Sequence, residues 1–196
     1  MPVPGASSRL SALSLRNTTV DSVVNDLGDD TTPASCRVQL TVTHPPAGDQ
    51  VTVWVHLPAE GWNGRFQGRG GGGFLGGSRE FLLEPLRAGY ACAATDAGHP
   101  GGAASFALDA RGRLDWQAIR DLGRVGIHDM TVAATAVVTA YYGEPPVRSY
   151  FHGCSTGGRQ GLMEAQRFPE DYDGVLSGTP AINWPRMQVG QIWASW

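Results

Sequence analysis

Gly153-Cys154-Ser155-Thr156-Gly157 sets a serine between two glycines at the spacing G-x-S-x-G. A serine hydroxyl so placed can attack a carbonyl carbon if three conditions hold. It must stand clear of its neighbours, N–H groups must face the oxyanion that forms, and a base must take the proton. The small flanking residues meet the first condition. Arg148-Ser-Tyr-Phe-His152 reads as a strand running into the motif, and residues 156–168, with Leu162, Met163, Ala165, Gln166 and Phe168, read as a helix leaving it. A sharp strand-to-helix turn holds its serine in a strained conformation and aims the positive end of the helix at the oxyanion. A glycine-rich turn with a spectator serine is the plainer alternative, and the flanking strand and helix weigh against it.

The second condition needs two N–H donors. One follows the nucleophile, which makes it that of Thr156; the other comes from a loop after an earlier strand. Gly70-Gly71-Gly72-Gly73 suits that loop, with Gly72 the expected donor and Gly71 and Gly73 as neighbouring alternatives. Without a Cβ, the backbone can approach a substrate oxygen closely. The same stretch also fits G-x-G-x-x-G as Gly68, Gly70 and Gly73, followed by Asp96 near the acidic position of a dinucleotide fingerprint. Two features rank that reading lower. A hairpin precedes the glycines, and four consecutive glycines weaken the helix start that would hold a pyrophosphate.

The third condition is where the chain falls short. His44, His56, His99, His128 and His152 all precede Ser155, whereas the order in α/β-hydrolases is Ser, then Asp or Glu, then His. His152 is too close along its strand to turn back onto the serine. His128 reads as a structural residue of a helix. His99 follows a strand and could approach the site, although a loop-bracing hydrogen bond is the simpler role for it. Glu164, Glu170, Asp171 and Asp173 lie on or just after the helix that follows the serine, too early for a triad acid. The residues therefore supply a nucleophile and an oxyanion hole without an acid or a base.

The elements that must position these groups are legible. Residues 36–43 and 51–57 alternate apolar and polar around Pro45-Pro46-Ala47-Gly48-Asp49, as an antiparallel hairpin does. Arg65-Phe66-Gln67, Tyr90 to Thr95 and Gly174 to Ser177 read as further strands. Residues 127–142 read as a helix capped by Gly143. The predicted fold is α/β: a mostly parallel sheet with an antiparallel N-terminal hairpin and flanking helices, a partial α/β-hydrolase core. Trp184, Trp193 and Trp196 mark an apolar end that should pack against something.

With 196 residues, 41% hydrophobic and 17% charged, the chain can bury one domain core. A net charge of −3 gives no reason to expect a nucleic-acid partner. No run of about 18 apolar residues predicts a membrane span. Leu10, Leu13 and Leu15, broken up by serines and Arg16, make a poor signal-peptide core, which leaves the compartment open. Of the three cysteines, Cys36 and Cys92 can form one bridge with Cys154 left over, or all three can be thiols.

Several blocks, in order, resemble the tannase and feruloyl esterase family of α/β-hydrolases. They are Trp62-Asn-Gly-Arg-Phe66 with its glycine loop, Gly89-Tyr90 through Thr95-Asp-Ala-Gly-His99, Gly153-Cys-Ser-Thr-Gly-Gly-Arg-Gln-Gly161, and Phe168-Pro-Glu-Asp-Tyr-Asp-Gly174 leading to Gly178-Thr-Pro-Ala-Ile-Asn-Trp184. The resemblance runs from about residue 10 to the end. It implies a secreted serine hydrolase of aromatic-acid esters, feruloyl or galloyl in type, with Ser155 as nucleophile and a small-molecule aryl ester as its partner. It further implies a lid inserted after the strand ending near Gly178. A structural calcium is expected in that lid, and no metal in this chain. Cys154 matches a cysteine that pairs with one beside the catalytic histidine, so its partner is absent here. On this reading residues 1–196 are the N-terminal portion of one hydrolase domain, a fragment inactive alone; a non-catalytic remnant of the same fold is the alternative.

Overall fold

The structure is a computed structural model that describes residues 2 and 4–193. A seven-stranded sheet organises it. Its strands are β1 (Thr18–Asp26), β2 (Ser35–Val42), β3 (Val51–Pro58), β4 (Arg65–Arg69), β5 (Ala91–Thr95), β6 (Arg148–Cys154) and β7 (Gly174–Gly178). Across the sheet the order is β1-β2-β3-β5-β4-β6-β7. The first four neighbours pair antiparallel, and β5, β4, β6 and β7 run parallel. The expected hairpin is β2–β3, in register from Ser35 opposite Pro58 to Val42 opposite Val51.

Alternation decides which face each strand buries. Cys36, Val38, Leu40 and Val42 of β2 and Val51, Val53, Val55 and Leu57 of β3 enter one core. Over them lie α1 (Ala6–Ser11) and α4 (Gly126–Tyr142), which supplies Met130, Ala134, Val137 and Val138. Every residue of β5 is buried, because the sheet is covered on both faces there. On its far side Cys92 and Ala94 meet Leu82 and Leu86, from a short turn and α2 (Leu83–Arg87). Gly143 ends α4 in the left-handed conformation, φ 81°, as a C-terminal glycine does.

Three elements depart from expectation. β1 is absent from the sequence reading, for a reason visible in its register: an irregularity between Val20 and Ser22 breaks the two-residue period, so Val20 and Val23, three apart, both lean on the core. The helix expected at 127–142 is the second part of a longer helical run. That run starts at α3 (Trp116–Arg120), where the Asp115 side chain accepts the N–H groups of Gln117 and Ala118, and passes through a π-turn at Asp121–Val125. Finally, α6 (Trp184–Trp193) follows β7. Its Trp184 is packed, Trp193 is 80% exposed, and Trp196 lies outside the described residues.

The bridge between Cys36 and Cys92 does not form. β3 separates the two strands, and the side chains enter opposite faces of the sheet, Cys36 towards α4 and Cys92 towards α2. Both are buried thiols; burial pushes Cys36 up to about 11 and Cys92 higher still.

Candidate active site

β6 delivers the chain to Ser155, and α5 (Thr156–Arg167) carries it away. Between them Ser155 has φ 57° and ψ −114°. Such a conformation is costly for a residue with a Cβ, of the order of 1–3 kcal/mol, and persists only when its surroundings over-determine it. They do so here. Ser155 N–H donates to the Gly178 carbonyl at 3.0 Å, while its carbonyl accepts from Ala181 at 2.9 Å and from Arg159 at 3.1 Å. The close passage of β6 and α5 also leaves no space for side chains. A Cβ on Gly153 would sit 2.4 Å from the Gly157 carbonyl carbon. Ser155 itself is exposed.

The glycine loop after β4 is fastened to the same turn. Gly157 N–H donates to the Gly71 carbonyl at 2.9 Å, and the buried Thr156 hydroxyl donates to the Gly73 carbonyl at 2.6 Å. Gln160, 4% exposed, spans the loop: its Oε1 accepts from Gly71 N–H at 3.0 Å and its Nε2 donates to the Gly76 carbonyl at 2.9 Å. Space beside Gly72 is open, with no atom within 4 Å of where a Cβ would stand. Ser155, Thr156 and Gly71–Gly73 thus lie together at one turn. Gln160 had been given no role in the sequence reading. The available signal was its place between Gly157 and Gly161 on a helix face too tightly packed for an unbonded amide.

The same loop excludes the dinucleotide reading. No helix opens after Gly68, Gly70 and Gly73; the first helical turn is a 3₁₀ turn at Arg79–Leu82. Gly70 packs against Gly157 and Gln160. The Asp96 carboxylate is taken by backbone N–H groups of Thr52 and Gly98, both at 2.8 Å.

None of the five histidines is hydrogen-bonded to Ser155. His99 places Nε2 2.5 Å from the Phe74 carbonyl and stacks on Phe106, so it braces the glycine loop. His152 meets Arg69 at 2.9 Å, and burial together with the Arg69 charge lowers its pKa. His44 lies between Asp49 and Asp129; burial would lower it, and those two carboxylates raise it overall. His128 pairs with Asp171 at 2.7 Å, which raises it. His56 is buried and pushed down to about 4 by desolvation, with Arg37 and Arg79 adding to the effect. Cys154 is exposed beside the serine, its Sγ 3.1 Å from Thr179 Oγ1.

One turn from the serine a cavity of about 380 Å³ opens, lined by Phe74, Phe106, Ile119, Leu122, Arg159 and Trp184. Trp184 stacks on Phe74 at 6.2 Å, and the Arg159 guanidinium lies 5.3 Å from the Trp184 ring centre. Three of the cavity's lining residues adjoin the turn along the chain: Phe74 follows Gly73, Arg159 donates its backbone N–H to the Ser155 carbonyl, and Trp184 follows the segment that holds that carbonyl.

Residues 36–196 match the family model described as tannase and feruloyl esterase. The chain belongs to that family. A "Probable feruloyl esterase" of Arthroderma benhamiae is 43% identical over 170 residues, covering 84% of this chain and 32% of that protein. The mono(2-hydroxyethyl) terephthalate hydrolase of Piscinibacter sakaiensis is 35% identical over 186 residues, covering 83% and 29%. Among solved structures, feruloyl esterase B from Aspergillus oryzae superposes with a TM-score of 0.78 at 27% identity, over 91% of this chain and 39% of that one. The chain therefore spans about three tenths of the length of these family relatives. Family and sheet order together make this a partial α/β-hydrolase fold. Among the described residues no helix is long and apolar enough to cross a membrane.

Proposed function

We propose that this chain carries the nucleophile and oxyanion hole of a serine carboxylic-ester hydrolase that acts on esters of aromatic acids. The observation that carries the reading is the strained Ser155 backbone, clamped between β7 and the glycine loop. Ser155 Oγ attacks the ester carbonyl, and the oxyanion is held by the N–H groups of Thr156 and Gly72. The carbon–oxygen bond to the alcohol then breaks, leaving an acyl-enzyme that water hydrolyses. Each histidine of this chain is engaged elsewhere or buried away from Ser155, so the reading assigns the general base to none of them. The aromatic walls of the cavity formed by Phe74, Phe106 and Trp184 suit an aryl group.

An excess of a fluorophosphonate probe on the full-length protein, followed by peptide mapping, tests the assignment. The label is expected on Ser155 alone and absent from Ser155→Ala. Labelling that persists in the variant, or that falls on another hydroxyl, removes Ser155 from the role.

A further inference from the structure

Away from Ser155, three side chains from separate segments converge. His128 comes from α4, Glu164 from the last turns of α5, and Asp171 from the loop before β7. Each offers one nitrogen or carboxylate oxygen, and all three ligand atoms lie within 4.8 Å of one another. His128 Nδ1 is 2.7 Å from Asp171 Oδ2, and the imidazole is held flat on Phe168, with ring centres 4.0 Å apart. Glu164 is 1% exposed, its Oε2 is sealed from solvent, and its carboxyl lies against that of Asp171. Two buried carboxyls in contact need a proton or a cation between them. A surface cavity of about 250 Å³, lined by Glu164, Phe168, Tyr172 and Asp173, lies on the Glu164 side of the cluster.

We propose that His128, Glu164 and Asp171 form a binding site for a divalent transition metal of the zinc type. One imidazole and two carboxylates suit a borderline cation and fall short of the six or more oxygens calcium takes. Metal–ligand bonds of roughly 2.0–2.1 Å at tetrahedral angles place ligand atoms about 3.3 Å apart. The His128–Asp171 pair must open by only about 0.6 Å to reach that spacing, and water fills the fourth position. The site staples α4 to α5 and is independent of the chemistry at Ser155. The other cluster, His44 with Asp49 and Asp121, is less suited, because both His44 nitrogens already meet carboxylates.

Zinc titration of the metal-free chain tests the proposal, in a Cys154→Ser background so that the exposed thiol cannot bind the ion. One equivalent of Zn²⁺ is expected to bind at micromolar concentration and to raise the melting temperature, with Mg²⁺ inert at the same concentration. His128→Asn and Glu164→Gln should each weaken binding about tenfold or more. X-ray absorption at the zinc edge reads the site without any variant at those residues, and should report one imidazole with oxygen ligands. Absence of saturable binding up to about 100 µM would mean the two carboxyls merely share a proton, and the proposal falls. Equal binding by both variants, or a spectrum with two or more imidazoles, overturns it as well.

Discussion

Gly157 donates its N–H to the carbonyl of Gly71 at 2.9 Å, so the helix behind Ser155 and the loop facing it are joined backbone to backbone. A Cβ at Gly157 would stand 2.9 Å from that carbonyl oxygen and 3.1 Å from the Gly70 carbonyl carbon. Gly157→Ala should push the loop away from the turn at a cost of about 1–3 kcal/mol. Urea unfolding reads the cost, and fluorophosphonate labelling of Ser155 should slow in parallel. A variant with wild-type stability and labelling would show that this contact does not set the site.

Gln160 occupies both ends of its amide with loop backbone. Gln160→Leu keeps most of the volume and strands the Gly71 N–H and the Gly76 carbonyl in a buried place. Each such group costs about 1–3 kcal/mol. Hydrogen exchange should show the Gly71 amide exchanging faster in the variant while the amides of α4 stay protected. Unchanged exchange at Gly71 contradicts the role assigned to Gln160.

His56 titrates near 4 in the folded protein against an ordinary 6.5, chiefly through burial. Between those values the unfolded chain binds more protons than the folded one. The histidine's contribution is therefore complete above pH 6.5 and is lost as pH falls towards 4, by up to about 3 kcal/mol. His56→Gln should flatten that part of the stability profile. Denaturant midpoints at pH 7 and pH 4.5 give the comparison, and parallel losses in the two proteins would argue against it.

Of the three thiols, only that of Cys154 is exposed. A thiol reagent should titrate one cysteine in the native chain and all three in denaturant. Rapid modification of Cys36 or Cys92 in the native state is the outcome at odds with the burial described.

The fold was legible where each strand or helix kept its own period. β2 and β3 alternate cleanly, and Gly143 marks the end of α4 by its chemistry. β1 escaped because its irregularity at Asp21 changes the parity of the valines, and no two-residue pattern survives that. The start at Trp116 was hidden by Gly123 and Gly126, which break a helical pattern that the π-turn carries across. At the site, Ser155, Thr156 and the glycine loop could be read because steric need dictates small residues at fixed spacing. The glycines on either side of Gln160 hint at a packed face and Trp184 reads as a residue in need of cover, but the partners of Gln160, Arg159 and Trp184 depend on which loop the fold lays against them. The cluster of His128, Glu164 and Asp171 joins residues 43 positions apart at its extremes, a separation no local spacing encodes.

Ser155 takes one backbone hydrogen bond from each side of the four residues Gly178 to Ala181: it gives its N–H to Gly178 and receives that of Ala181 on its carbonyl. The Ser155 backbone is therefore held at both ends by the stretch that leaves β7 for α6. The position of this serine is thus written as much in the residues that follow β7 as in the motif around the serine itself.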